Sequence, residues 1–600
     1  MWRREKQKKL VAESIYELFR SQRCLRSATR AILSIRRVFV KAGGKMNKVL
    51  PIGTEYFAKL RMNGYYFVDK TTFLSEFFRG HADVTLITRP RRFGKSLLLS
   101  MTQQFLDIEG ASEHRKLFEG LKVMDDPAAM TEQGTRPVIF LTMKNMEWDT
   151  WGGMQKKVAW ELSQLYRSFK FLQQDDMDED VRAVFDSIRS EKADIETMSG
   201  ALQFLCQLLE AHYGRKAVLL IDEYDAPIQC AWSNHYYKEA IGFFRSLYSS
   251  AFKSNPSLDF AILTGVLRIA KESIFSGLNN LKVSSVISGG FADACGYTRE
   301  EVAKLARDFG QEDKLGEIAS WYDGYNFHGM DIYNPWSVNN YFSEGCKARK
   351  YWVRTSGNSI LKAMLLQLDQ RRARHLEKLM EGKTIRTRIE ESFIYPDIEK
   401  HRANLYDVLL ATGYLKCVGA IDDEDGEKYD LSIPNMEIRR VFRDEILKFL
   451  ASSEDRSILD DLLEAMQEGD AESFQKCLQT VLRDMVSFHD AAQPESFYHG
   501  LILGLSVWLD KRYFIRSNRE SGYGRFDLAF FPKKPELPGI VLEFKSVEQE
   551  KKLADAAEEA CKQMEEKAYD TELEAAGVQD IWHYGIAFCK KHVLVKMGNA

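Results

Sequence analysis

The 600-residue sequence contains no long apolar run. A membrane-spanning helix needs about 18 to 20 consecutive apolar residues, whereas the longest strand-like run, from Ala217 to Ile221, has the length of a buried strand. We therefore expect neither a transmembrane segment nor a membrane partner. A composition with 45% hydrophobic and 28% charged residues is typical of a folded chain and excludes wholesale disorder, collagen and a coiled coil.

Closely spaced cysteines are also missing. The nine cysteines are scattered from Cys24 to Cys589, without a C-x-x-C pair or a nearby Cys/His cluster. This pattern excludes a structural zinc site. It predicts reduced cysteines that serve as packing residues in a cytoplasmic protein.

Excess positive charge is confined to the N-terminus. Residues 1–45 carry 13 Lys/Arg and three Glu, a net charge of +10, which leaves −13 for residues 46–600 because the whole chain carries −3. Any binding of nucleic acid must therefore use local basic patches. The basic head superficially resembles a transit peptide. We interpret it as an extension from a start codon upstream of Met46, with a basic nucleic-acid arm as the rival interpretation.

A strand, a loop and a helix follow one another near residue 90. Residues 84–87 form an apolar strand-like run, and Leu97-Leu98-Leu99 opens an apolar helix. Between them, Gly94, Lys95 and Ser96 match the end of the phosphate loop G-x-x-x-x-G-K-[ST]. In that loop, backbone N–H groups surround the phosphates while the Lys and the Ser/Thr reach phosphate and Mg²⁺.

The loop departs from this pattern at its start. Arg89 stands where the first glycine belongs, next to Pro90. We expect the three arginines of the loop, Arg92 among them, to compensate in part.

Residues 218–221 are apolar and lead into Asp222 and Glu223. A central parallel strand delivers a Mg²⁺ ligand in this way, so Asp222 is the candidate metal ligand and Glu223 the candidate residue that orients water. The alternative is a buried strand that ends in a solvated acid pair. The phosphate loop in the same sequence favours the metal-ligand interpretation over this alternative. Asp225 is the acid that would replace Glu223 if this assignment were wrong.

Three further runs predict strands of the same sheet: residues 138–142, 260–264 and 283–287. The separations allow crossover helices, so we expect a five-stranded doubly wound sheet. Thr264 ends one strand and could sense the γ-phosphate, or it is an ordinary turn residue. Arg268 could neutralise transition-state charge, or it is a surface arginine.

A series of motifs in fixed order resembles the bacterial AAA-ATPase-like family, many of whose members end in a PD-(D/E)XK nuclease-like domain. The resemblance covers nearly everything after Met46 and implies that the loop of residues 89–96 is the family's own form of the phosphate loop. The motifs are residues 50–53, 66–71, 89–96, 221–225, 263–277, 321–325 and 333–337.

The middle of the chain carries structural signals. Asn334-Pro335 predicts the start of a helix. Residues 414–418 and 429–433 flank an Asp425-Gly426 turn and precede a helix from about Asn435, which predicts a hairpin and helix like those of a winged-helix lid. Acidic residues crowd the turn, so we do not expect it to contact DNA. Residues 454–484 predict a connector or a helical cap of the last domain.

The C-terminal region combines two carboxylates and a lysine. Residues 524–531 and 540–545 predict a hairpin, and Glu543 and Lys545 leave the same face of their strand, where Asp527 can join them from its neighbour. The two carboxylates then hold Mg²⁺, and Lys545 positions water or stabilises negative charge. The alternative is a solvated strand with salt-bridged acids.

The spacing Asp-x15-Glu-x-Lys is that of PD-(D/E)XK phosphodiesterases, with Phe526 in place of the proline. Gln563 and Tyr569 match the Gln-x5-Tyr pattern of the family that this chain resembles. Glu495 could add a third carboxylate, and we interpret His499 as a packing residue.

We therefore predict an α/β protein: a P-loop NTPase doubly wound sheet of the AAA type, a helical and winged-helix-like lid, and a smaller PD-(D/E)XK nuclease-like α/β domain. The predicted cofactors are ATP and Mg²⁺, the predicted partner is nucleic acid, DNA in particular, and a homo-oligomer stays open. Alternatives are a nucleotide-gated nucleic-acid-binding or scaffold protein, and an ATPase without nuclease activity. The predicted segments are a basic extension 1–45, an ATPase-like domain 46–300, a lid region 301–450 and a nuclease-like domain 451–600.

Overall fold

The computed structural model describes residues 49–80, 82–173, 177–253, 255–269, 281–352, 370–391, 405–423, 426–450, 457–485, 512–521 and 524–598. The basic head lies outside these described residues. Within them, no helix is both long enough and apolar enough to cross a membrane, and all eight described cysteines are free.

Sixteen strands occur in the described chain. They are β1 Val84–Thr88, β2 Val138–Thr142, β3 Ala217–Asp222, β4 Leu258–Gly265, β5 Leu281–Ser284, β6 Tyr297–Thr298, β7 Tyr325–Phe327, β8 Met330–Tyr333, β9 Ile385–Thr387, β10 Lys416–Asp423, β11 Gly426–Ser432, β12 Tyr513–Ser521, β13 Gly524–Pro532, β14 Gly539–Ser546, β15 Ile581–Cys589 and β16 His592–Met597.

The α-helices of the same part of the chain connect or cover these strands. They are Phe57–Met62, Thr72–Phe78, Lys95–Leu106, Ala111–Leu117, Pro127–Met130, Trp151–Ser168, Glu179–Arg189, Ile195–Tyr213, Ala226–Ser233, Tyr237–Phe252, Arg299–Phe309, Leu315–Tyr322, Pro335–Ser343, Gln370–Met380, Leu405–Ala411, Met436–Leu450, Ser457–Glu468, Ala471–Met485, Leu553–Glu566 and Thr571–Ala575.

The first sheet has five parallel strands in the order β2-β3-β4-β1-β5. Every residue of β1 and β3 is buried, because helices cover both faces of a parallel sheet. On one face, Leu220 belongs to the same core as Phe105 of helix Lys95–Leu106. On the other face, Leu219 belongs to the core that contains Phe244 of helix Tyr237–Phe252. The predicted doubly wound sheet is confirmed.

The fifth strand ends earlier than the sequence predicts. β5 stops at Ser284, because the backbone N–H of Ser285 turns to donate to the oxygen of Ser288 at 2.8 Å. The apolar Val286 and Ile287 of the predicted strand therefore belong to a turn. Apolar character alone does not separate a strand end from a packed turn.

The middle region contains two small sheets, β6-β8-β7 and β10-β11-β9. The side chain of Asn334 accepts from the backbone N–H of Ser337, with Pro335 in the first turn, as predicted. The predicted hairpin is β10 and β11, and Asn435 caps the helix after it, since Ile438 N donates to Asn435 Oδ1 at 3.0 Å. The turn residues 424–425 lie outside the described residues, so the prediction that this turn avoids DNA stays a prediction.

The last sheet has the order β12-β13-β14-β15-β16 and is antiparallel except between β14 and β15. Helix Leu553–Glu566 makes the crossover that a parallel pair requires. Helices Ser457–Glu468 and Ala471–Met485 contact β15, since the hydroxyl of Tyr584 donates to Met466 O at 2.9 Å and its ring lies 5.2 Å from that of Phe474. These two helices form the predicted helical cap.

Candidate nucleotide and nuclease sites

The phosphate loop joins β1 to helix Lys95–Leu106. Gly94 precedes the helix with a φ of 95°, a left-handed conformation that glycine adopts without strain. The helix N-terminus, which attracts anions, therefore begins directly at the end of the loop. The predicted order of strand, loop and helix is present.

Lys95 is buried at the start of this helix. Its Nζ donates to the backbone oxygens of Arg89 at 2.9 Å and Pro90 at 3.1 Å. Burial lowers the pKa of the ammonium, while the negative charges of Glu223, Asp222 and Asp225 act in the opposite direction. The loop carbonyls thus hold the Lys95 ammonium in a position from which it can donate to phosphate oxygens instead, because charged oxygens are stronger acceptors.

Asp222, at the end of β3, joins two hydroxyl groups from neighbouring segments. Its Oδ2 accepts from Ser96 Oγ at 2.6 Å, and its Oδ1 accepts from Thr264 Oγ1 at 2.6 Å. The sheet order explains this contact, because β4 lies between β1 and β3 and carries Thr264 to the same edge. A hydroxyl and a carboxylate are oxygen ligands of the kind that Mg²⁺ prefers, so the residues present fit that ion.

Glu223 lines the cavity beside the loop and has a positive φ of 52°. Burial raises the pKa of its carboxyl, and the charge of Lys95 opposes that rise. A carboxyl with a raised pKa is suited to accept a proton.

Asp225 has a different environment. It is buried, and its Oδ2 accepts the backbone N–H groups of Val266 and Leu267 at 2.9 Å each. The hydroxyl of Tyr224 donates to Leu267 O at 2.7 Å and accepts from Ile269 N at 3.1 Å. Asp225 and Tyr224 therefore hold the segment after β4, which favours Glu223 over Asp225 as the water-orienting candidate.

A cavity of about 560 Å³ lies over the loop and is lined by Arg92, Lys95, Ser96 and Glu223. This volume is typical of small-molecule sites. Trp336 also lines the cavity, and the guanidinium of Arg92 lies 4.1 Å from the centre of its ring. The sequence had assigned the Asn334-Pro335 motif a structural role alone.

Lys144 and Glu147 line the same cavity and were missed by sequence reasoning. Lys144 Nζ donates to Glu55 at 3.0 Å, which raises the pKa of the lysine, and burial raises the pKa of Glu147. Both residues follow the carboxyl end of β2. Ligands bind at the carboxyl ends of parallel strands, so this position is a signal that could have found them.

Arg89 does not face the cavity, which corrects the expectation that all three loop arginines compensate for the missing glycine. It is fully buried, and burial lowers its pKa to about 10. Its guanidinium donates to the backbone oxygens of Ser284, Ser285 and Phe291 at 2.8 to 3.0 Å. Arg89 thus holds the end of β5 against β1.

Arg268 lies apart from the other predicted nucleotide-binding residues. Its guanidinium is 3.8 Å from Glu391, and it lines a small cleft with Thr88, Ser285 and Asp407 instead of the cavity over Lys95. The structure brings Arg92, Gly94, Lys95, Ser96, Asp222, Glu223 and Thr264 together but not Arg268. Its role toward transition-state charge stays a prediction.

The C-terminal candidates lie on adjacent strands. Leu528 pairs with Leu542, so Asp527 and Glu543 follow at the next position, and Asp527 Oδ2 accepts from Phe544 N at 2.8 Å. Lys545 Nζ lies 3.7 Å from Glu543 Oε1. The structure therefore brings all three predicted residues together on one face of the sheet.

Gln563 connects this group to the covering helix. Its Nε2 donates to Glu543 Oε1 at 2.5 Å and to the Tyr569 hydroxyl at 3.0 Å, and its Oε1 accepts from Lys545 Nζ at 2.5 Å. The amide thus fixes the relative positions of the carboxylate and the ammonium, with Tyr569 behind it.

Two carboxylates, Asp527 and Glu543, fit a divalent cation in the chemistry of their oxygens. Among the described residues, no group of three or more His, Cys, Asp or Glu side chains could hold a metal ion. Glu495, the predicted third carboxylate, and His499 lie outside the described residues.

Comparisons with known proteins match two separate regions of the chain. Residues 51–275 match a family described as predicted AAA-ATPase, and residues 493–597 match the PD-(D/E)XK nuclease superfamily. The chain is 28% identical over 564 residues to an "Uncharacterized protein in vnfD 5'region" of Azotobacter chroococcum mcd 1, a match that covers 90% of this chain and 97% of that protein.

Proposed function

We propose that this chain, in which an AAA-ATPase-like region precedes a PD-(D/E)XK nuclease-like region, hydrolyses ATP and cleaves phosphodiester bonds of DNA with a divalent cation. One observation carries the ATP part: Asp222 accepts hydrogen bonds from both Ser96 and Thr264 beside the cavity that Lys95 lines.

In the nucleotide site, Lys95 leaves the carbonyls of Arg89 and Pro90 and donates to the β- and γ-phosphates. Ser96 and Asp222 hold Mg²⁺, which supplies neutralisation of phosphate charge when bound. Glu223 orients the attacking water and accepts its proton, and Thr264 contacts the γ-phosphate.

In the nuclease site, Asp527 and Glu543 hold a divalent cation, which supplies polarisation of the phosphate when bound. Lys545 stabilises the negative charge that develops on the phosphate oxygens. Gln563 keeps the ammonium of Lys545 within reach of that position.

Charge distribution supports a nucleic-acid substrate. Residues 511–534 carry seven Lys/Arg and two acids, whereas the rest of residues 451–600 carries 11 Lys/Arg and 25 Asp/Glu. This segment includes β12 and β13, and six of its seven Lys/Arg lie on β12 or directly beside the two strands, around the strand that carries Asp527. Local basic patches of this kind are what phosphate binding requires.

An exposed aromatic ring accompanies this charge. Phe514 on the edge strand β12 is 60% exposed, and Lys533 Nζ lies 4.5 Å from the centre of its ring. Phe514 pairs with Phe531, which is four residues from Asp527 on β13, so both project from the face that carries the nuclease site. Aromatic rings beside cations stack unpaired bases, and this favours a single-stranded substrate.

The test is incubation of the purified full-length chain with circular, linear and single-stranded DNA, with Mg²⁺, with and without ATP. We expect cleavage that EDTA abolishes and ATP binding, measured by calorimetry, that Lys95→Ala abolishes. Unchanged nucleotide affinity in Lys95→Ala contradicts the assignment of residues 89–96 as the phosphate loop.

The second candidate is a nucleotide-gated scaffold that binds nucleic acid without cleaving it. The presence of only two clustered carboxylates in the described nuclease site favours it. Binding of DNA without cleavage in every divalent cation tested supports this candidate, whereas cleavage excludes it.

A further inference from the structure

Glu437 is a fully buried carboxylate in the first turn of helix Met436–Leu450. Its Oε1 accepts the backbone N–H groups of Tyr351 at 2.6 Å and Trp352 at 2.9 Å, and its Oε2 accepts from Ser337 Oγ at 2.8 Å. A buried carboxylate is tolerated only when such donors satisfy it. Glu437 therefore joins its helix to two segments that lie 86 and 100 positions earlier in the sequence.

Tyr351 and Trp352, called here the strap, contact the phosphate loop directly. The backbone oxygen of Tyr351 accepts from Arg92 Nη1 at 3.1 Å and from the indole of Trp336 at 3.0 Å. The indole of Trp352 donates to Arg91 O at 3.2 Å. The strap thus connects Glu437 to two consecutive loop residues, to Arg92 through the backbone oxygen of Tyr351 and to Arg91 through the indole of Trp352.

Arg92 has a backbone conformation that needs such support. Its φ is 70°, which is uncommon for a residue other than glycine and persists only where the surroundings hold it. Its guanidinium stacks on Trp336 and donates to Tyr351 O, and it lines the cavity that Lys95 lines. The strap and Trp336 together direct this cation toward the nucleotide cavity.

The helix that carries Glu437 is itself fixed at its start. Asn435 Nδ2 donates to Asp323 O at 2.9 Å. Gly324, with a φ of 97°, has no room for a side chain, because a Cβ there would lie 2.2 Å from Pro434 O. The two motifs at residues 321–325 and 333–337 thus meet at the start of the helix that carries Glu437, the first through Pro434 and Asn435 and the second through Ser337. This contact explains two sequence features that the proposed reaction does not use.

We propose that Glu437 is a positioning residue for the phosphate loop. Through the strap it holds Arg91 and Arg92 in the conformation that presents Arg92 to the cavity, and it couples helix Met436–Leu450 to nucleotide binding. The expected effect on ATP affinity rests on the proposed function, whereas the expected effect on the loop does not.

The first test is hydrogen–deuterium exchange of the full-length chain without nucleotide, followed in peptides that cover residues 89–97. Glu437→Ala should speed exchange there. Glu437→Gln should not, since its amide oxygen can accept both strap N–H groups while its amide N–H donates to Ser337. The matched control is Asp407→Ala, which removes another buried carboxylate that accepts a backbone N–H, from Glu390 at 3.2 Å.

Trp352→Phe provides a milder variant in case Glu437→Ala fails to fold. It keeps the aromatic ring but removes the donor to Arg91 O, so exchange of the loop should rise while the thermal midpoint changes little. The proposal is overturned if neither Glu437→Ala nor Trp352→Phe speeds exchange of the loop, or if Asp407→Ala speeds it equally.

The second test is calorimetric titration with Mg·ATP. Glu437→Ala should raise the Kd by about tenfold, within the range typical of coupling between sites, whereas Glu437→Gln and Asp407→Ala should stay near the wild-type value. If the wild-type chain does not bind ATP, the proposed function fails, and the exchange experiment still decides the role of Glu437.

Discussion

The nuclease-like site draws its described side chains from residues 527–569, on two neighbouring strands and the helix and turn that cover them. The nucleotide cavity draws on residues as distant as Arg92, Glu223 and Trp336. A change in the first site should therefore act on one reaction alone. A substitution around the second site should alter nucleotide binding even at a distance, because helix Met436–Leu450 contacts the strap and the strap contacts the phosphate loop.

The largest effect is expected for Asp527→Ala. Loss of a negative ligand should reduce divalent-metal-dependent DNA cleavage to background, while ATP hydrolysis by the same preparation stays unchanged because the two sites share no residue. Both activities are measured on one protein sample. Retained cleavage would mean that Asp527, Glu543 and Lys545 form an ordinary solvated strand face, and loss of both activities would indicate misfolding.

Glu223→Gln should lower ATP turnover by about 10² to 10⁴-fold, the usual contribution of a general base, and leave the Kd for ATP near its wild-type value. Steady-state phosphate release and calorimetry measure the two quantities. The control, Asp225→Ala, should instead lower the free energy of unfolding by about 1–3 kcal/mol, because two buried N–H groups lose their acceptor. Unchanged turnover in Glu223→Gln would contradict the assignment of the base.

Gln563→Ala tests whether the local site depends on its bridging amide. We expect cleavage to fall by about 10 to 100-fold, as for other residues that orient metal ligands, since Glu543 and Lys545 lose their common partner. The fall is measured from cleavage rates over a series of Mg²⁺ concentrations. High Mg²⁺ should restore part of the cleavage activity. A wild-type rate at every concentration would exclude a positioning role.

Phe514→Ala, made in Asp527→Ala so that substrate persists, should weaken binding of single-stranded DNA roughly fivefold or more, since stacking contributes about 1–3 kcal/mol per base. Fluorescence anisotropy with a labelled oligonucleotide gives the Kd. Phe171→Ala removes another exposed aromatic side chain, 43% exposed, and should leave binding unchanged. Equal effects of the two substitutions would argue against a base-stacking site at Phe514.

The smallest effect on chemistry is expected for Glu437→Gln, which should change the pH dependence of stability. Burial raises the pKa of Glu437 from 4.5 to about 7, so its stabilising contribution is full below about 4.5 and is lost as the pH rises through about 7. The neutral amide avoids that loss. Relative to wild type, the variant should gain up to about 3 kcal/mol between pH 5 and pH 8, because one pKa unit corresponds to about 1.4 kcal/mol. Urea unfolding measures the free energy of unfolding of both proteins at both pH values. The same difference between variant and wild type at pH 5 and pH 8 would contradict this prediction.

Sequence patterns predicted a large part of the fold because the relevant signals are local. The buried run before Asp222, the Asn334 cap and the hairpin of β10 and β11 each follow from neighbouring residues. The Asp527, Glu543 and Lys545 group follows from the two-residue period of a strand and one hairpin. Patterns failed where a packed turn imitates a strand, at Val286 and Ile287.

The amino-acid sequence by itself determined which residue types stand at the strand ends and in the loop, and hence the chemistry that this chain can carry. Only the tertiary structure decided which of them meet. In the structure Arg89 is buried and connects β1 to the end of β5, and Arg268 lies beside Glu391. Glu437 contacts the strap, which in turn accepts a hydrogen bond from Arg92. The physical reason is that these long arginine and glutamate side chains find their partners through packing between segments that are far apart in the sequence, from 86 positions for Glu437 and Tyr351 to 259 for Arg92 and Tyr351, which no local spacing records.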